Sequence, residues 1–336
     1  MALAMRSRKS KLVGLGIGLA VLLISLICSV LYGIHRFGLN DLWLAYRHFD
    51  GSNEHLILTT TRVPRALIAA AVGASLAVAG TIMQVMTKNP LASPSVFGIN
   101  SGAALFIVIG LVAFGSSLSM QTMIWVAFAG AIAASVCVYA LGAQQRGGFD
   151  PVKLTLAGAS IAAFASSVTS GLMLIHKESL ESALFWMIGS VSDRRLDHLS
   201  IVFPYMLSGL CIAVLLSGTL NVMALGDDSA KSLGQRIMLM RVIAAVAVVL
   251  LAGSSVSVAG PIAFIGLIVP HLCRYLVGND HRWLIPYCAL TGATLLVTAD
   301  IASRFVLMPK EVPVGVATAL IGVPFLIHVA RRRKHA

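Results

Sequence analysis

Ionisable side chains inside long apolar segments are the first candidates for chemistry, because an acid or a histidine at membrane depth can couple an ion to a substrate or relay a proton. Two such residues stand out, Asp300 and His271. Asp300 lies one helical turn before Arg304, and this spacing favours a local i,i+4 ion pair over an ion-coupling site. His271 lies beside Arg274 at the end of an apolar segment, and it is interpreted as an interfacial or packing residue rather than a proton relay or metal ligand.

Catalytic signatures are missing from the sequence. It contains no HExxH, GxSxG or phosphate-binding loop motif and no paired carboxylates, and its histidines are scattered. We therefore predict no catalytic residue, no cofactor and no metal site, and any uphill transport must draw its energy from another subunit. The cysteines lie within apolar segments without CxxC spacing and are interpreted as small core residues, with no disulfide. They are Cys28, Cys137, Cys211, Cys273 and Cys288.

The composition indicates a membrane protein. Hydrophobic residues make up 58% of the 336 residues, charged residues make up 11%, and the mean hydropathy is +0.90. A chain this apolar needs lipid as its solvent. The net charge of +12 arises from short Lys and Arg clusters between apolar runs, a pattern typical of membrane topology rather than of nucleic-acid binding.

The apolar segments predict an all-α polytopic membrane protein with about ten transmembrane helices in a single transmembrane domain, 1–336. A spanning helix needs roughly 20 apolar residues, and we divide the sequence at charges and at Gly, Pro and Ser clusters. The first segment is too long for a signal peptide and is kept as a helix. Two divisions, at Gly115-Ser-Ser and at Gly260-Pro261, rest on such clusters alone. The predicted spans are 12–34, 64–86, 95–114, 121–143, 153–175, 199–220, 237–258, 261–278, 284–303 and 312–330.

The distribution of positive charge predicts that both termini are cytoplasmic. With that orientation, sixteen of the 25 Lys and Arg residues fall on the inner side, including Arg6, Arg146 and the terminal cluster from Arg331 to Lys334. The long outer connections, 35–61 and 176–198, are expected to form short interfacial helices with aromatic residues. These aromatic residues are Trp43, Tyr46, Phe185 and Trp186.

Small residues recur at close intervals in 69–80, 158–170 and 289–298. Gly, Ala and Ser let membrane helices approach closely. Tight helix packing explains most of them, and their density also suits a wide, weakly polar passage.

Six ordered motifs from about residue 60 to the C-terminus resemble the FecCD family of ABC permeases, which import ferric siderophores, haem and cobalamin. Together the six are specific, whereas any one of them is weak. The motifs are Arg62-Val-Pro-Arg65, Gly80-Thr-Ile-Met-Gln-Val-Met-Thr-Lys-Asn-Pro-Leu-Ala-Ser-Pro94, Phe97-Gly-Ile-Asn-Ser-Gly102, Leu225-Gly-Asp-Asp-Ser-Ala-Lys-Ser-Leu-Gly234, Gly260-Pro-Ile-Ala-Phe-Ile-Gly-Leu-Ile-Val-Pro-His271 and Ala299-Asp-Ile-Ala-Ser-Arg304.

The resemblance implies a complex in the bacterial cytoplasmic membrane. Its expected partners are two cytoplasmic ATPase subunits, a second permease chain that is either identical or homologous, an extracytoplasmic substrate-binding protein and membrane lipid, with no nucleic acid. The expected cargo is an iron(III)-siderophore, chosen because most of the family carries one. Cobalamin and haem remain alternatives within the family, and a stand-alone secondary carrier or channel is the alternative outside it.

The resemblance also implies site residues. Arg62, Arg65 and Arg304 are expected to dock the binding protein, for which the alternative is interfacial snorkelling. The loop 221–236 is expected to couple to the ATPase, with Gly226 and Gly234 bracketing a short helix, and the alternative is an ordinary polar loop. The coupling residues are Leu225, Gly226, Asp227, Asp228, Ser232, Leu233 and Gly234. Asn89, Pro90 and Leu91 are expected at the cytoplasmic gate, for which the alternative is a plain turn.

Overall fold

The computed structural model describes residues 5, 7–33, 35–115, 118–143, 150–176, 180–307 and 310–332. Within these ranges the chain is helical and contains no strand, which confirms the predicted all-α polytopic class. In the same ranges, seven helices are long and apolar enough to cross a membrane, and three apolar helices are shorter. Arg6, Arg146, the second and third residues of the predicted Gly115-Ser-Ser break, and residues 333–336 of the C-terminal cluster lie outside the described residues.

Long apolar helices form the bundle. One long helix runs continuously over Ile237–Ala259, because a π-helical turn, Val249–Gly253, joins its two α-helical segments. The long helices are α1 (Arg8–Leu31), α4 (Val63–Met86), α5 (Ile99–Phe114), α6 (Met120–Ala143), α7 (Pro151–Ile175), α9 (Leu196–Leu215), α12 (Ile237–Val248) with α13 (Ser254–Ala259), α14 (Ile265–Val277), α15 (His281–Ser303) and α16 (Val314–Arg332).

Within the described residues, five short helices connect them. The segment α3 continues through a π-helical turn, Leu58–Arg62, directly into α4. The short helices are α2 (Leu39–Arg47), α3 (Asn53–Ile57), α8 (Leu180–Ile188), α10 (Ser217–Ala224) and α11 (Asp227–Ser232). On α8, Phe185 is 55% exposed as expected, but Trp186 is only 3% exposed. Neighbouring residues on a helix point about 100° apart, so that one side of this short helix faces the core.

Two predicted spans begin four residues later than the sequence indicated, and in both cases the helix follows a residue with positive φ, Gly98 or Phe264. After Gly260, with φ of 70°, the chain runs irregularly to Phe264, also at 70°, so α14 starts at Ile265 rather than at residue 261. The predicted span 95–114 starts only at Ile99, because a 3₁₀ turn occupies Pro94–Phe97.

The helix α4 forms the centre of the bundle, and most of its side chains are buried. It packs on α15, α14 and α9. At two crossings a glycine of α4 meets a glycine of its neighbour, Gly73 with Gly292 and Gly80 with Gly266, and a Cβ at either α4 position would overlap the facing backbone. The small residues of 69–80 and 289–298 therefore permit the close helix approach that the sequence predicted.

Contacts define two ends of the bundle. The Asp300 end contains the end of α1, the start of α4 and the end of α15, which meet through Arg304 and Ser29. The Asp227 end contains the end of α4, α11 and the start of α15, where Lys88 contacts Asp227 and Asn221 contacts Asp280.

Candidate functional site

A buried ion network lies at the Asp300 end. The Asp300 carboxylate is fully buried, with the Arg65 Nη2 atom 2.8 Å and the Arg65 Nε atom 2.9 Å from its Oδ1. The Arg304 Nη2 atom lies 2.5 Å from Asp300 Oδ2, and Arg65 Nη1 contacts the Glu311 carboxylate. Two arginines and two acids thus balance one another, as buried charges require.

Arg304 also joins α15 to the end of α1. Its Nη1 atom donates to the carbonyl oxygens of Ser29 at 2.6 Å and Tyr32 at 2.9 Å, and its Nη2 atom donates to Ser29 Oγ at 2.9 Å. The last carbonyls of a helix lack intrahelical donors and carry partial negative charge, so a guanidinium there is favourable. Arg304 therefore connects α15 to α1 directly, and to α4 through Asp300 and Arg65.

The predicted i,i+4 ion pair between Asp300 and Arg304 is confirmed. Sequence reasoning missed Arg65 and Glu311 as partners in the same network, because Arg65 lies 235 positions from Asp300 and Glu311 lies beyond the end of α15, so no spacing within one helix relates them to it.

The three arginines predicted to dock a partner are buried in the isolated chain. Arg62, Arg65 and Arg304 are 6%, 4% and 0% exposed. Arg65 and Arg304 are paired with acids, whereas Arg62 forms no ion pair with the part of the chain that the structure describes. Its Nη1 atom lies 3.4 Å from the Tyr32 carbonyl oxygen, and its guanidinium packs on the backbone of Gly33. The structure brings the three together and leaves their docking role a prediction.

A short polar helix, α11, lies at the Asp227 end. Gly226 and Gly234, with φ of 113° and 76°, bracket it, and Asp227 and Asp228 occupy its first turn, which confirms the predicted geometry. Glycine adopts positive φ without strain, so these two residues let the chain enter and leave so short a helix. The coupling role predicted for this segment remains a prediction.

Asp227 connects α11 to two other elements. Its two carboxylate oxygens each lie 2.7 Å from Arg241 Nη2, on α12, and Lys88 Nζ, just after α4, lies 3.1 Å from Oδ1. Burial raises the pKa of Asp227, but the hydrogen bonds from Arg241 and Lys88 outweigh it and hold the pKa below its ordinary value. The carboxylate is therefore charged near neutral pH and ties α11 to the bundle.

Apolar and polar side chains of the same segment face solvent. Leu225 is 70% exposed and Leu233 is 64% exposed, while Ser232 and Gly234 are also exposed. One exposed leucine therefore precedes this six-residue polar helix and another follows it.

The predicted gate residues form a tight turn after α4. The helix ends at Met86, Lys88 adopts a φ of 50°, and the Leu91 N–H donates to Asn89 Oδ1 at 3.0 Å. The Ala92 N–H donates to the Asn89 carbonyl at 3.1 Å. Pro90 cannot donate a backbone hydrogen bond, and the side chain of Asn89 caps the turn instead. This geometry agrees with the plain-turn alternative and leaves a gate role untested.

Comparisons with known proteins place this arrangement among transport proteins. A family model described as the FecCD transport family matches residues 21–332. The chain is 49% identical, over 93% of both lengths, to "Probable siderophore transport system permease protein YfiZ" of Bacillus subtilis (strain 168). It is 41% identical, over 99% of this chain and 98% of the relative, to "Fe(3+)-citrate import system permease protein YfmD" of the same organism.

A solved structure shares the fold. It is an inward-facing conformation of an ABC transporter of proposed metal-chelate type, and it superposes with a TM-score of 0.84 and 27% sequence identity. The superposition covers 95% of this chain and 98% of the other chain. The likeness therefore extends over the whole helical bundle and includes both of its ends.

Proposed function

We infer that this chain, which belongs to the FecCD transport family, is the membrane-spanning permease subunit of an ABC importer in the bacterial cytoplasmic membrane. The observation that carries this inference is the near-complete match to two import permeases, which covers more than nine-tenths of each chain. Such coverage leaves no room for a separate catalytic domain within this sequence. The chain forms the passage, and ATP hydrolysis belongs to partner subunits.

The proposed cargo is an iron(III)-siderophore. The relative that is 49% identical is named for siderophore transport, and the one that is 41% identical is named for Fe(3+)-citrate import. In both cases iron arrives inside an organic chelator. A permease for such a cargo needs a wide, weakly polar passage rather than metal ligands of its own.

The Asp227 end is the proposed cytoplasmic side. Lys11, Lys88, Arg236, Arg274 and Arg282 all belong to this end, as the positive-inside rule predicts for the cytoplasmic side. We place both chain termini on this side as well. A second permease chain completes the passage, and two ATPase subunits bind on the cytoplasmic side.

The proposed ATPase contact is the segment from Leu225 to Gly234. Leu225 and Leu233 supply exposed apolar area, and Asp228 and Ser232 supply polar groups around it. The ion pairs of Asp227 link this segment to α12 through Arg241 and to the turn after α4 through Lys88. A displacement of α11 by the ATPase would therefore move the turn at 89–91 directly, because Lys88 precedes Asn89.

This connection supports the gate proposal for Asn89, Pro90 and Leu91. The turn is short and hydrogen-bonded within itself, so it moves as a unit. Its neighbour Lys88 is tied to α11 by the 3.1 Å contact with Asp227. We propose that nucleotide-driven motion of α11 shifts this unit and changes the width of the inner end of the passage.

The Asp300 end is the proposed outer mouth, where the binding protein docks. Arg62 is a nearly buried guanidinium without an acidic partner among the described residues, and Glu311, which pairs with Arg65, is partly exposed. A carboxylate on the binding protein would pair with Arg62 and compete with Glu311 for Arg65. Arg304 would contribute indirectly, because its hydrogen bonds hold α1 and α15 together beside Arg62 and Arg65.

The test is uptake of iron-55 bound to catecholate, hydroxamate and citrate chelators, in cells that lack this gene and in cells that carry it on a plasmid. We expect uptake of at least one iron chelate to be lost on deletion and restored by the plasmid. Labelled cobalamin and haem are measured in the same strains. Loss of cobalamin or haem uptake alone would replace the iron assignment, and no change for any of these substrates would overturn the importer assignment.

A further inference from the structure

A cavity of about 440 Å³ opens at the Asp227 end, between the end of α4, the end of α10 and the start of α15. Its polar lining consists of Gln84, Lys88, Arg274, Asn279 and His281. It lies beside the segment proposed to contact the ATPase, because Leu225 and Gly226 also border it. Pro90, Leu225 and Gly226 in its lining belong to the proposed gate and ATPase contact, but Gln84, Arg274, Asn279 and His281 have no role in the functions assigned above.

The charge of the lining is positive. The Arg274 Nη1 atom donates to Gln84 Oε1 at 2.5 Å, and Arg274 forms no ion pair within the described part of the chain. Lys88 contacts Asp227, whose carboxylate is also held by Arg241. Asp227 is thus shared between two cations, and Asp280, the other acid beside the cavity, accepts from Asn221, so Arg274 has no acidic partner among the described residues. A half-buried guanidinium in this position favours an anionic occupant.

His281 adds a requirement for a hydrogen donor. Asn221 Nδ2 donates to Asp280 Oδ1 at 2.6 Å, which fixes Asn221 Oδ1 as an acceptor. The His281 backbone N–H and the ring Nδ1 lie 2.8 and 2.7 Å from that oxygen, so Nδ1 carries the ring proton. The Nε2 atom of the neutral ring is then an acceptor, and it has no partner although His281 is only 3% exposed.

We propose that this cavity binds a phosphate group that retains one acidic proton. The phosphate oxygens would pair with Arg274 and Lys88, and the P–OH group would donate to His281 Nε2. Free inorganic phosphate and the phosphomonoester headgroup of a lipid both supply this chemistry. Because Lys88 also holds Asp227, a bound phosphate competes with α11 for the same ammonium group. Phosphate binding does not depend on the proposed function. Only an effect of this competition on transport rests on it.

The test uses the full-length chain in phosphatidylcholine nanodiscs, with no ATPase and no cargo, so that its result is independent of the importer assignment. Inorganic phosphate binding is measured by isothermal titration and by the rise in Tm at pH 7 and constant ionic strength. We expect saturable binding of phosphate and much weaker binding of sulfate, which carries no proton at this pH. Arg274→Gln and Lys88→Gln should each weaken phosphate binding about tenfold or more.

Two further variants sharpen the test. Asp227→Asn frees Lys88 and should tighten phosphate binding, a result that a purely structural role of these residues would not produce. Arg282→Gln removes an exposed cation at the same end that borders a different cavity, and it should leave binding unchanged. Because the Lys88 side chain is 46% exposed, Lys88→Gln remains informative even if Arg274→Gln does not fold.

The source of the phosphate is resolved by a second set of nanodiscs that contain phosphatidic acid. The lipid headgroup is the occupant if two results are found together in these nanodiscs. Added inorganic phosphate no longer binds the native chain, and the Tm of the native chain still differs from that of Arg274→Gln. If titration persists, free phosphate is the occupant. The proposal is overturned if neither ligand shows binding that depends on Arg274 or Lys88, or if sulfate binds as tightly as phosphate.

Discussion

The Nη2 and Nε atoms of Arg65 lie 2.8 and 2.9 Å from the same carboxylate oxygen of Asp300, across 235 positions of sequence. This contact joins the start of α4 to the end of α15 at the point where α1 also ends. Removing this buried carboxylate would leave Arg304 without an acidic partner and Arg65 with Glu311 alone.

Asp300→Asn is therefore expected to lower stability by about 3–5 kcal/mol, the usual cost of breaking a buried charge pair from one side. The measurement is the Tm of the purified chain in detergent, with Asp197→Asn as the control, because the Asp197 side chain is 65% exposed. Replacing Arg65 by Gln in the Asp300→Asn background should recover part of the loss. A Tm within one degree of the native value would show that the network does not hold these helices together.

Close helix contact gives a second prediction. Gly80→Ala places a methyl group against the backbone of Gly266, and neither backbone can yield without moving a helix. We expect a loss of about 1–3 kcal/mol, as for other overpacked interiors. Gly16→Ala is the matched control, because nothing lies within 4 Å of its added methyl group. It should leave Tm unchanged or raise it slightly, since alanine favours the helix. Equal effects of the two substitutions would contradict the packing shown at Gly80.

The features foreseen from sequence were those set by local rules. Glycines at 226 and 234 defined α11, and a spacing of four defined the pair of Asp300 with Arg304. Contacts between distant segments were not foreseen, because Lys88 is 139 positions from Asp227 and nothing in one sequence encodes that proximity. The burial of Arg304 was missed for a related reason. An arginine at the end of a predicted span is expected at the membrane interface. Its burial follows only from the end of α1, whose carbonyl oxygens accept hydrogen bonds from Arg304.

The ion pairs of Asp227 predict a pH dependence. The pKa of Asp227 is lowered in the folded chain, so its contribution to stability is present above the ordinary carboxylate pKa and is lost as pH falls through the folded value. The Tm difference between the native chain and Asp227→Asn should therefore be constant from pH 8 to pH 6 and shrink below about pH 4. A difference that instead grew with acidification would show that the pKa is raised.

Arg62 offers a test of docking at a residue that forms no ion pair within the described part of the chain. Arg62→Glu should abolish most uptake, by repelling an acidic docking group, while the permease remains abundant in the membrane. Arg195→Glu is the control, because Arg195 belongs to the same end and its side chain is 71% exposed. Uptake and the affinity of the binding protein for nanodisc-embedded permease are measured together. Normal affinity in the Arg62 variant would remove this residue from the docking surface.

The leucines beside α11 carry the prediction that separates a coupled permease from a stand-alone carrier. Leu225→Ala with Leu233→Ala removes two exposed apolar side chains without disturbing the ion pairs of Asp227, so the fold and Tm should be preserved. If these leucines are buried by an ATPase, their loss should weaken its binding by about 2 kcal/mol or more, and both co-purification and uptake should fall. Leu307→Ala, which truncates a leucine that is 64% exposed at the Asp300 end, should leave co-purification of the ATPase unchanged. A chain that worked alone would transport normally with both leucines truncated, because nothing would then bind that surface.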